Sequence, residues 1–321
     1  MYDLVGVGDT AMDVFLMLHE ATVSCQLNAQ SCQLCVNYSD KIPVEQVVDV
    51  PGVGTAPNCI VGASRFGLKT SLYTVLGDDV AGKQSLAVFK KEKVSPALIK
   101  IDKTTRTDYS SVISFKGERT ILTYQAPRKY KLPQFKTKWL FLASLSEGHK
   151  TLHREIIRKI KTEKTKFAFN PGANELRDGI ESLKTTFSVT EVLFLNKEEA
   201  WRLLGKIEDI KFLLRKLMEL GPKIVVVTDG SNGAYCFDGM NVYFQGIFDV
   251  PVLEKTGAGD AFACGFLSAL MNGQNVKQAM RWGSANSAAV VQKIGGQAGL
   301  LNKNEILKFL KNNPEPQAKI I

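Results

Sequence analysis

The sequence predicts an α/β fold in which helices cover both faces of a mostly parallel central sheet, with a small additional β-sheet. From residue 139 onward, short apolar runs alternate with segments of helical periodicity, which is the order of a parallel sheet with helical crossovers. Lys223–Val227 contains three consecutive valines, as expected for a strand buried on both faces. Residues 33–50 and 109–124 instead alternate apolar with polar side chains, which is typical of strands with one exposed face.

The N-terminal half supplies the first core strand and the small sheet. Leu4–Gly8 is an apolar run that predicts a buried strand. Leu34, Val36 and Tyr38 alternate with polar residues, and two further alternating runs flank the turn at 116–118. We expect these pieces to form one sheet that is discontinuous in the chain, at about residues 14–50 and 105–125.

The C-terminal half continues in the rhythm of strand and helix. The expected strands are Trp139–Leu142, Phe167–Phe169, Val192–Leu195 and Lys223–Val227, followed by a hairpin of Ala234–Phe237 and Val242–Phe244. We expect helices near 147–162 and 175–187 and at Lys197–Leu204, followed by a further helix that ends at about residue 220. The chain from residue 258 onward is also expected to be helical. Residues from Pro314 have the composition of a frayed end. The order favours one domain over residues 1–321, although this length also allows two.

Charge and hydropathy exclude several classes of partner. The net charge of +9 comes largely from 128–138 and 150–166, and the second stretch has the isoleucine spacing of a helix with a solvated basic face. Neither stretch alternates aromatic with basic residues, so we expect no nucleic-acid partner. The longest apolar run, Ala258–Met271, is shorter than the ~18 residues of a membrane span and contains Asp260. Tyr2-Asp3 stands where a secretory signal would be basic, so we expect a cytoplasmic protein without a membrane partner.

The six cysteines, at positions 25, 32, 35, 59, 236 and 264, are scattered. Cys32 and Cys35, with Cys25 and His19 nearby, resemble half of a zinc site. Because no second pair follows at a matching spacing, we expect free thiols in a reducing compartment.

The strongest chemical signal is Thr256-Gly257-Ala258-Gly259-Asp260, which leads into an apolar helix. Glycines at a helix N-terminus allow backbone N–H groups to face an anion. An aspartate beside such a site would repel phosphate, but it is useful if it deprotonates a hydroxyl that attacks a phosphoryl group. The alternative is an ordinary acidic residue that interacts with the helix dipole.

A second glycine cluster, Gly52-Val53-Gly54-Thr55-Ala56-Pro57-Asn58, leads into a helix that ends near Gly67. It lacks the Gly-Lys-Ser/Thr of a phosphate-binding P-loop and the spacing of a dinucleotide fingerprint. Its small residues permit close approach of a ligand to the backbone, and Asn58 offers both a donor and an acceptor. Asn58 could equally be a simple helix cap.

Together with Asp13, Asn196-Lys197-Glu198-Glu199 and Thr228-Asp229-Gly230, these clusters occur in an order that resembles the ribokinase-like, or phosphofructokinase-B, family of sugar kinases. The resemblance covers nearly the whole chain and implies a three-layer α/β/α ribokinase-like sandwich. It also implies that the small sheet is a lid over the sugar and that two lids could pair in a homodimer. The implied activity is ATP-dependent phosphorylation of a hydroxymethyl group of a small sugar of the ribose, fructose or ketodeoxygluconate class. A nucleoside kinase of the same fold is the alternative, followed by an inactive nucleotide or sugar binder.

The resemblance assigns a role to each motif position. The catalytic set comprises the base Asp260 and an anion hole formed by Gly257, Ala258 and Gly259. The substrate set, which would hold sugar hydroxyls, comprises Asp13, Gly54 and Asn58. The nucleotide set comprises Asn196, Thr228, Gly230, Thr256 and Asn286. Glu199 would order Mg²⁺ through water, although Asn196 could be only a helix cap and Gly230 only a turn residue.

Two features of the sequence leave questions open. Glu254-Lys255-Thr256 replaces the Asp-Thr-Thr that is common in the family, where the acid and the last threonine help to hold a monovalent cation. Glu254 could reach such an ion, but Lys255 adds a positive charge, so potassium activation stays open. No basic residue is clearly placed to bind a substrate phosphate, which disfavours a phosphofructokinase. The basic residues that could still reach the site are Lys116, Arg119, Arg128 and Lys129.

Overall fold

The computed structural model describes residues 1–25, 32–116 and 118–321. Its strands are β1 Tyr2–Val7, β2 Ala11–Leu18, β3 Thr22–Cys25, β4 Cys32–Cys35, β5 Val44–Val53, β6 Thr70–Tyr73, β7 Val75–Gly77, β8 Lys100–Asp102, β9 Asp108–Phe115, β10 Glu118–Tyr124, β11 Thr137–Leu142, β12 Lys166–Phe169, β13 Val192–Asn196, β14 Ile224–Thr228, β15 Ala234–Phe237, β16 Val242–Gln245 and β17 Lys319–Ile320. Its helices are α1 Thr55–Arg65, α2 Val80–Lys91, α3 His149–Glu163, α4 Ala173–Phe187, α5 Lys197–Leu204, α6 Ile210–Glu219, α7 Ala258–Met271, α8 Val276–Val290 and α9 Lys303–Asn312.

A nine-stranded central sheet has the order β17-β16-β15-β14-β13-β12-β11-β1-β6. The strands from β6 to β14 in this order are parallel, and β15, β16 and β17 continue the sheet in antiparallel pairs. The predicted α/β class with a mostly parallel sheet is confirmed. Carboxyl ends of neighbouring parallel strands meet at one edge, where Asn196 of β13 lies opposite Thr228 of β14.

Helices cover both faces of the central sheet. Helices α1, α7 and α8 contribute Ile60, Phe266 and other fully buried side chains to one face. Helices α3, α4 and α6 pack on the other face, where Leu152 and Leu214 are fully buried. The three layers place the N-termini of α1, α5 and α7 near the carboxyl ends of the parallel strands.

The small sheet, defined here as β2, β5, β9 and β10, has the order β10-β9-β2-β5. The chain enters β2 directly from β1 of the central sheet. It leaves the small sheet from β5 into α1, and this second connection contains the glycine cluster at residues 52–58. The prediction for Leu34, Val36 and Tyr38 was wrong in part. Residues 32–35 pair with Thr22–Cys25 in a separate hairpin, and Val36 and Tyr38 follow that hairpin as exposed residues outside a strand.

Two further expectations need correction. The chain after Pro314 is not frayed, because β17 pairs with the edge strand β16 and the Arg281 guanidinium donates to the Pro314 carbonyl at 2.7 Å. The cysteines are not all free thiols, because Cys25 and Cys32 lie directly opposite each other in the β3–β4 hairpin and form a disulfide. Among the described residues, none of the helices combines the length and apolar character that crossing a membrane requires.

Candidate active site

Residues from both glycine clusters and from two strand ends meet in one cavity. The cavity has a volume of about 290 Å³ and lies at the carboxyl edge of β13 and β14, beside the start of α7. Glu199, Asn196, Thr228, Gly259 and Asp260 line it. Motifs that are far apart in sequence therefore face the same space.

Asp260 is held by a short chain of hydrogen bonds. The Asn58 amide donates from Nδ2 to Oδ2 of Asp260 at 2.7 Å. Gln297 donates from Nε2 to Oδ1 of Asn58 at 3.0 Å and to the Gly52 carbonyl at 2.7 Å. Gln297 thereby orients the Asn58 amide so that its N–H group points at the carboxylate. The helix-cap interpretation of Asn58 was wrong, because Gly54 is the N-cap of α1 and Asn58 lies inside the helix. Its side chain instead joins the two glycine clusters.

Burial determines the protonation chemistry of this region. Burial raises the pKa of Asp260, while hydrogen bonds from Asn58 and Thr55 act in the opposite direction. Burial also raises the pKa of Asp13 on β2 to about 6, against a hydrogen bond from Ser110, and the charges of Glu254 and Asp260 add to the rise. The charges of Glu254 and Asp260 thus act on Asp13, although Asp13 is not among the described residues that line the cavity. A carboxylate with a raised pKa accepts a proton more readily than a solvated one.

Two glycines take conformations that other residues rarely adopt. Gly257 precedes α7 with φ of 79°, and a Cβ there would overlap the Cα of Gly296. Gly54 precedes α1 with φ of 136°, and a Cβ there would lie 2.6 Å from the Asp9 carbonyl oxygen. The first-turn N–H groups of α7 lack intrahelical acceptors, and Gly259 and Asp260 of this turn line the cavity. Ala258 donates to the Lys255 carbonyl at 3.3 Å, so its N–H group is already partly engaged.

Asn196 and Glu199 form a reciprocal cap at the start of α5. Asn196 Oδ1 accepts from the Glu199 N–H, and Glu199 Oε2 accepts from the Asn196 N–H, both at 2.8 Å. Burial raises the pKa of Glu199 to about 7, and the charge of Asp260 adds to the rise. Asn196 is therefore the helix cap of α5, as one interpretation of the sequence expected. Glu199 presents a second carboxyl group to the cavity.

A second cavity of about 120 Å³ adjoins the first, since Thr228 and Gly259 line both. Gly230, Gln245, Ser284 and Ser287 also line the second cavity. The structure places Asn286 elsewhere, because this residue is fully buried, donates to the Ala261 carbonyl and accepts from the Leu301 N–H. The neighbours of Asn286 on α8 face the cavity instead, since a helix turns about 100° per residue.

The segment before Gly257 is organised by Glu254. Oε1 of Glu254 accepts hydrogen bonds from the N–H and hydroxyl groups of Thr256, at 2.8 and 2.6 Å. The same oxygen lies 3.3 Å from Nη1 of Arg119, which comes from β10 of the small sheet. Thr256 therefore serves first to fix the turn into α7.

Sequence reasoning missed three contributors to the site. Thr55 donates to Asp260, Gln297 orients Asn58, and Ser287 donates to the Ala258 carbonyl at 2.6 Å. Thr55 lies inside a motif that was identified. The pair Gly295-Gly296 is the one local sequence signal that could have pointed to Gln297. Nothing in the sequence around Ser287 distinguishes it from other serines in helices.

Several known proteins of similar sequence or structure are kinases. A nucleoside kinase of Methanothermobacter thermautotrophicus is 24% identical over 311 residues, which cover 95% of this chain and 94% of that protein. A 5-dehydro-2-deoxygluconokinase of Halalkalibacterium halodurans is 24% identical over 287 residues, which cover 81% and 85%. The structure of Arabidopsis thaliana ribokinase complexed with ribose and ATP superposes with a TM-score of 0.80 at 19% identity, over 97% of this chain and 99% of that chain. This likeness confirms the predicted ribokinase-like sandwich.

The model of the family described as pfkB family carbohydrate kinase matches residues 18–303. The matched range contains both glycine clusters, Glu199 and Asp260, whereas Asp13 lies before it. The order of motifs thus predicted the family correctly. This chain belongs to the pfkB family of carbohydrate kinases, and it is a kinase of sugars or nucleosides.

Proposed function

We propose that this kinase transfers the γ-phosphoryl group of ATP to a hydroxymethyl group of a small, unphosphorylated sugar of the ribose, fructose or ketodeoxygluconate class. The observation that carries this proposal is the placement of Asp260. Its carboxylate lies at the N-terminus of α7, accepts from Asn58 and faces the cavity that Glu199 and Gly259 also line. A base, an anion-binding turn and a second carboxyl group are thereby brought together.

Each group has a defined part in the reaction. Asp260 accepts the hydroxyl proton as the sugar oxygen forms its bond to the γ-phosphorus, and the bond from that phosphorus to ADP breaks. The raised pKa of Asp260 favours this proton transfer. First-turn N–H groups around Gly257 and Gly259 stabilise the charge on the phosphoryl oxygens. Thr228, Gly230 and Ser287 line the adjoining cavity, where we place the nucleotide.

The residues present fit Mg²⁺ held largely by water and phosphate oxygens. Burial and the nearby charge of Asp260 raise the pKa of Glu199 to about 7, so a cation would relieve an unfavourable pair of carboxylates. Within the described ranges, no cluster of three or more His, Cys, Asp or Glu side chains could hold the ion by itself. Glu199 would hold the ion through water, with Asn196 beside it. When bound, Mg²⁺ neutralises charge on the phosphate oxygens.

The small sheet is proposed to act as the lid. It carries Asp13 toward Asp260, where a carboxylate can accept hydrogen bonds from two sugar hydroxyls, and its closure would exclude water from the phosphoryl group. Its exposed apolar side chains, such as Leu122 at 60% exposure and Val47 at 54%, support pairing of two copies in a homodimer. Light scattering on the protein and on Leu122→Lys tests this pairing, and a monomeric mass for both would contradict it.

Two arginines already pair with carboxylates of this chain, which supports a substrate without a phosphate group. Arg128 is buried and donates to Asp108 at 2.8 Å, and Arg119 pairs with Glu254. Neither guanidinium is free to bind a phosphate group of an incoming sugar phosphate. We therefore expect fructose phosphates to be poor substrates.

A nucleoside substrate is the second candidate. The match to a nucleoside kinase over 95% of this chain favours it, and Asp13 could hold the hydroxyls of a ribose in either class. A comparison of kcat/KM between ribose and its nucleosides separates the two, because a base that is bound in the site lowers KM for the nucleoside.

The decisive experiment is a coupled assay of ADP release over ribose, fructose, ketodeoxygluconate, fructose phosphates and common nucleosides. Asp260→Asn should lower kcat by about 10²–10⁴-fold on the best substrate, which is the range for loss of a general base. Asp78→Asn, which removes a carboxylate that pairs with Lys83 outside the cavity lining, is the matched control. A folded Asp260→Asn protein with nearly normal turnover would overturn the proposal.

A further inference from the structure

The tip of the small sheet and the segment before Gly257 meet in two ion pairs. Arg119 Nη1 lies 3.3 Å from Glu254 Oε1, and Lys255 Nζ lies 2.8 Å from Glu118 Oε1. The small sheet thus presents Glu118 beside Arg119, and the segment before Gly257 presents Glu254 beside Lys255. Each residue faces one of opposite charge. The other pairing would place Glu118 against Glu254 and Arg119 against Lys255, which is repulsive.

The two pairs differ in exposure. The side chain of Glu254 is 7% exposed and that of Arg119 is 31% exposed, whereas Lys255 and Glu118 are 55% and 76% exposed. Exposed ion pairs contribute little, because water and salt screen them. The Arg119–Glu254 pair is therefore the one expected to couple the small sheet to the site.

Glu254 connects Arg119 to the turn that begins α7. The oxygen that faces Arg119 also accepts from the N–H and hydroxyl groups of Thr256. Thr256 is adjacent to Gly257, so the position of the carboxylate determines where the first turn of α7 begins. The Arg119 guanidinium thus affects the anion-binding turn through the side chain of Glu254.

The same geometry fits a monovalent cation poorly. Oε1 of Glu254 already faces the guanidinium and both donors of Thr256. Oε2 is buried and has no hydrogen-bond partner among the described residues, so it is the one oxygen of this carboxylate open to an ion. A potassium ion there would lie beside the positive charge of Arg119, which opposes its binding.

We propose that Arg119 is a positioning residue whose guanidinium neutralises Glu254, holds the small sheet closed and fixes the anion-binding turn without a monovalent cation. This inference rests on the proposed kinase function. Activity of the native chain is then independent of potassium, and removal of Arg119 creates a need for an added cation.

Steady-state kinetics on the best substrate test the inference, with potassium chloride compared with choline chloride at equal ionic strength. Wild-type rates should agree within about twofold between the salts. Arg119→Gln should lower kcat by about tenfold or more with a smaller change in KM, because it disturbs a turn used in the transition state. Potassium or guanidinium ions should restore part of the loss, and Arg119→Lys should retain more activity than Arg119→Gln. Glu118→Gln, which removes the exposed pair, is the control, with an effect within about twofold.

Hydrogen exchange gives a readout without turnover. In folded Arg119→Gln protein, amides of residues 254–259 should exchange faster than in the wild type, and those of α3 should not change. Unchanged exchange at 254–259, unchanged kinetics of Arg119→Gln, or about tenfold activation of the wild type by potassium would each overturn the inference. If the wild type phosphorylates none of the tested compounds, the proposed function fails, while the exchange experiment still tests the contact.

Discussion

Arg128→Met removes one half of a buried ion pair at the base of the small sheet. The side chains of Arg128 and Asp108 are 1% and 4% exposed. Arg128 donates to Asp108 Oδ1 and to the Arg106 carbonyl, both at 2.8 Å, and to the Thr105 hydroxyl at 2.7 Å. Met fills a similar volume but replaces none of these donors, so Asp108 retains the Ala126 N–H at 3.1 Å and loses its countercharge.

The expected cost is about 3–5 kcal/mol of unfolding free energy, because removal of one partner leaves a charge buried without compensation. Burial raises the pKa of Asp108, whereas the Ala126 N–H and Arg128 act in the opposite direction. Without Arg128 the folded-state pKa rises further. The cost is therefore largest above that pKa and shrinks as the pH falls and Asp108 takes up a proton.

Urea unfolding followed by circular dichroism measures the difference in unfolding free energy by linear extrapolation. The matched control is Arg106→Met. Arg106 is a neighbouring arginine with an 81% exposed side chain that lies 4.0 Å from Asp79. We expect the control to change the unfolding free energy by about 0.5 kcal/mol or less. A cost for Arg128→Met below about 1 kcal/mol, or equal to that of the control, would refute the reasoning.

Three further outcomes are expected. Asn58→Ala removes a hydrogen bond that favours ionised Asp260, so the acid limb of the kcat/KM profile should move to higher pH; an unchanged limb would contradict the contact. Gly257→Ala should lower kcat by about 10²–10³-fold by displacing the anion-binding turn, while Gly273→Ala, with the same φ of 79° and open space around its Cβ, should leave kcat nearly unchanged. Burial, with the Asp108 charge, raises the pKa of Asp9 from 3.8 to about 6, so wild-type stability falls as pH rises between these values. Urea titrations should then show Asp9→Asn gaining stability relative to the wild type over this range, and a constant difference would argue against the shift.

Most of the elements could be predicted because their signals are local. Helix α5 was placed at Lys197–Leu204 because Asn196 caps its start and Gly205 ends it. Strand β2 was not recognised as a separate element, since Val14 and Phe15 are both buried and the alternation of a half-exposed strand is absent there. The C-terminal strand was missed because it is only two residues long and this end of the chain is held by contacts with an edge strand and with Arg281.

By itself, the sequence determined the class of the fold, the family and the residues of each motif, since hydrophobic period, capping residues and glycine turns depend on near neighbours in the chain. Only the tertiary structure decided that Gln297 orients Asn58, that Asn286 is buried away from the second cavity and that Arg119 faces Glu254. These contacts join segments that are distant in sequence. Their distances follow from how the small sheet and α7 pack, and a single sequence carries no local pattern that records that packing.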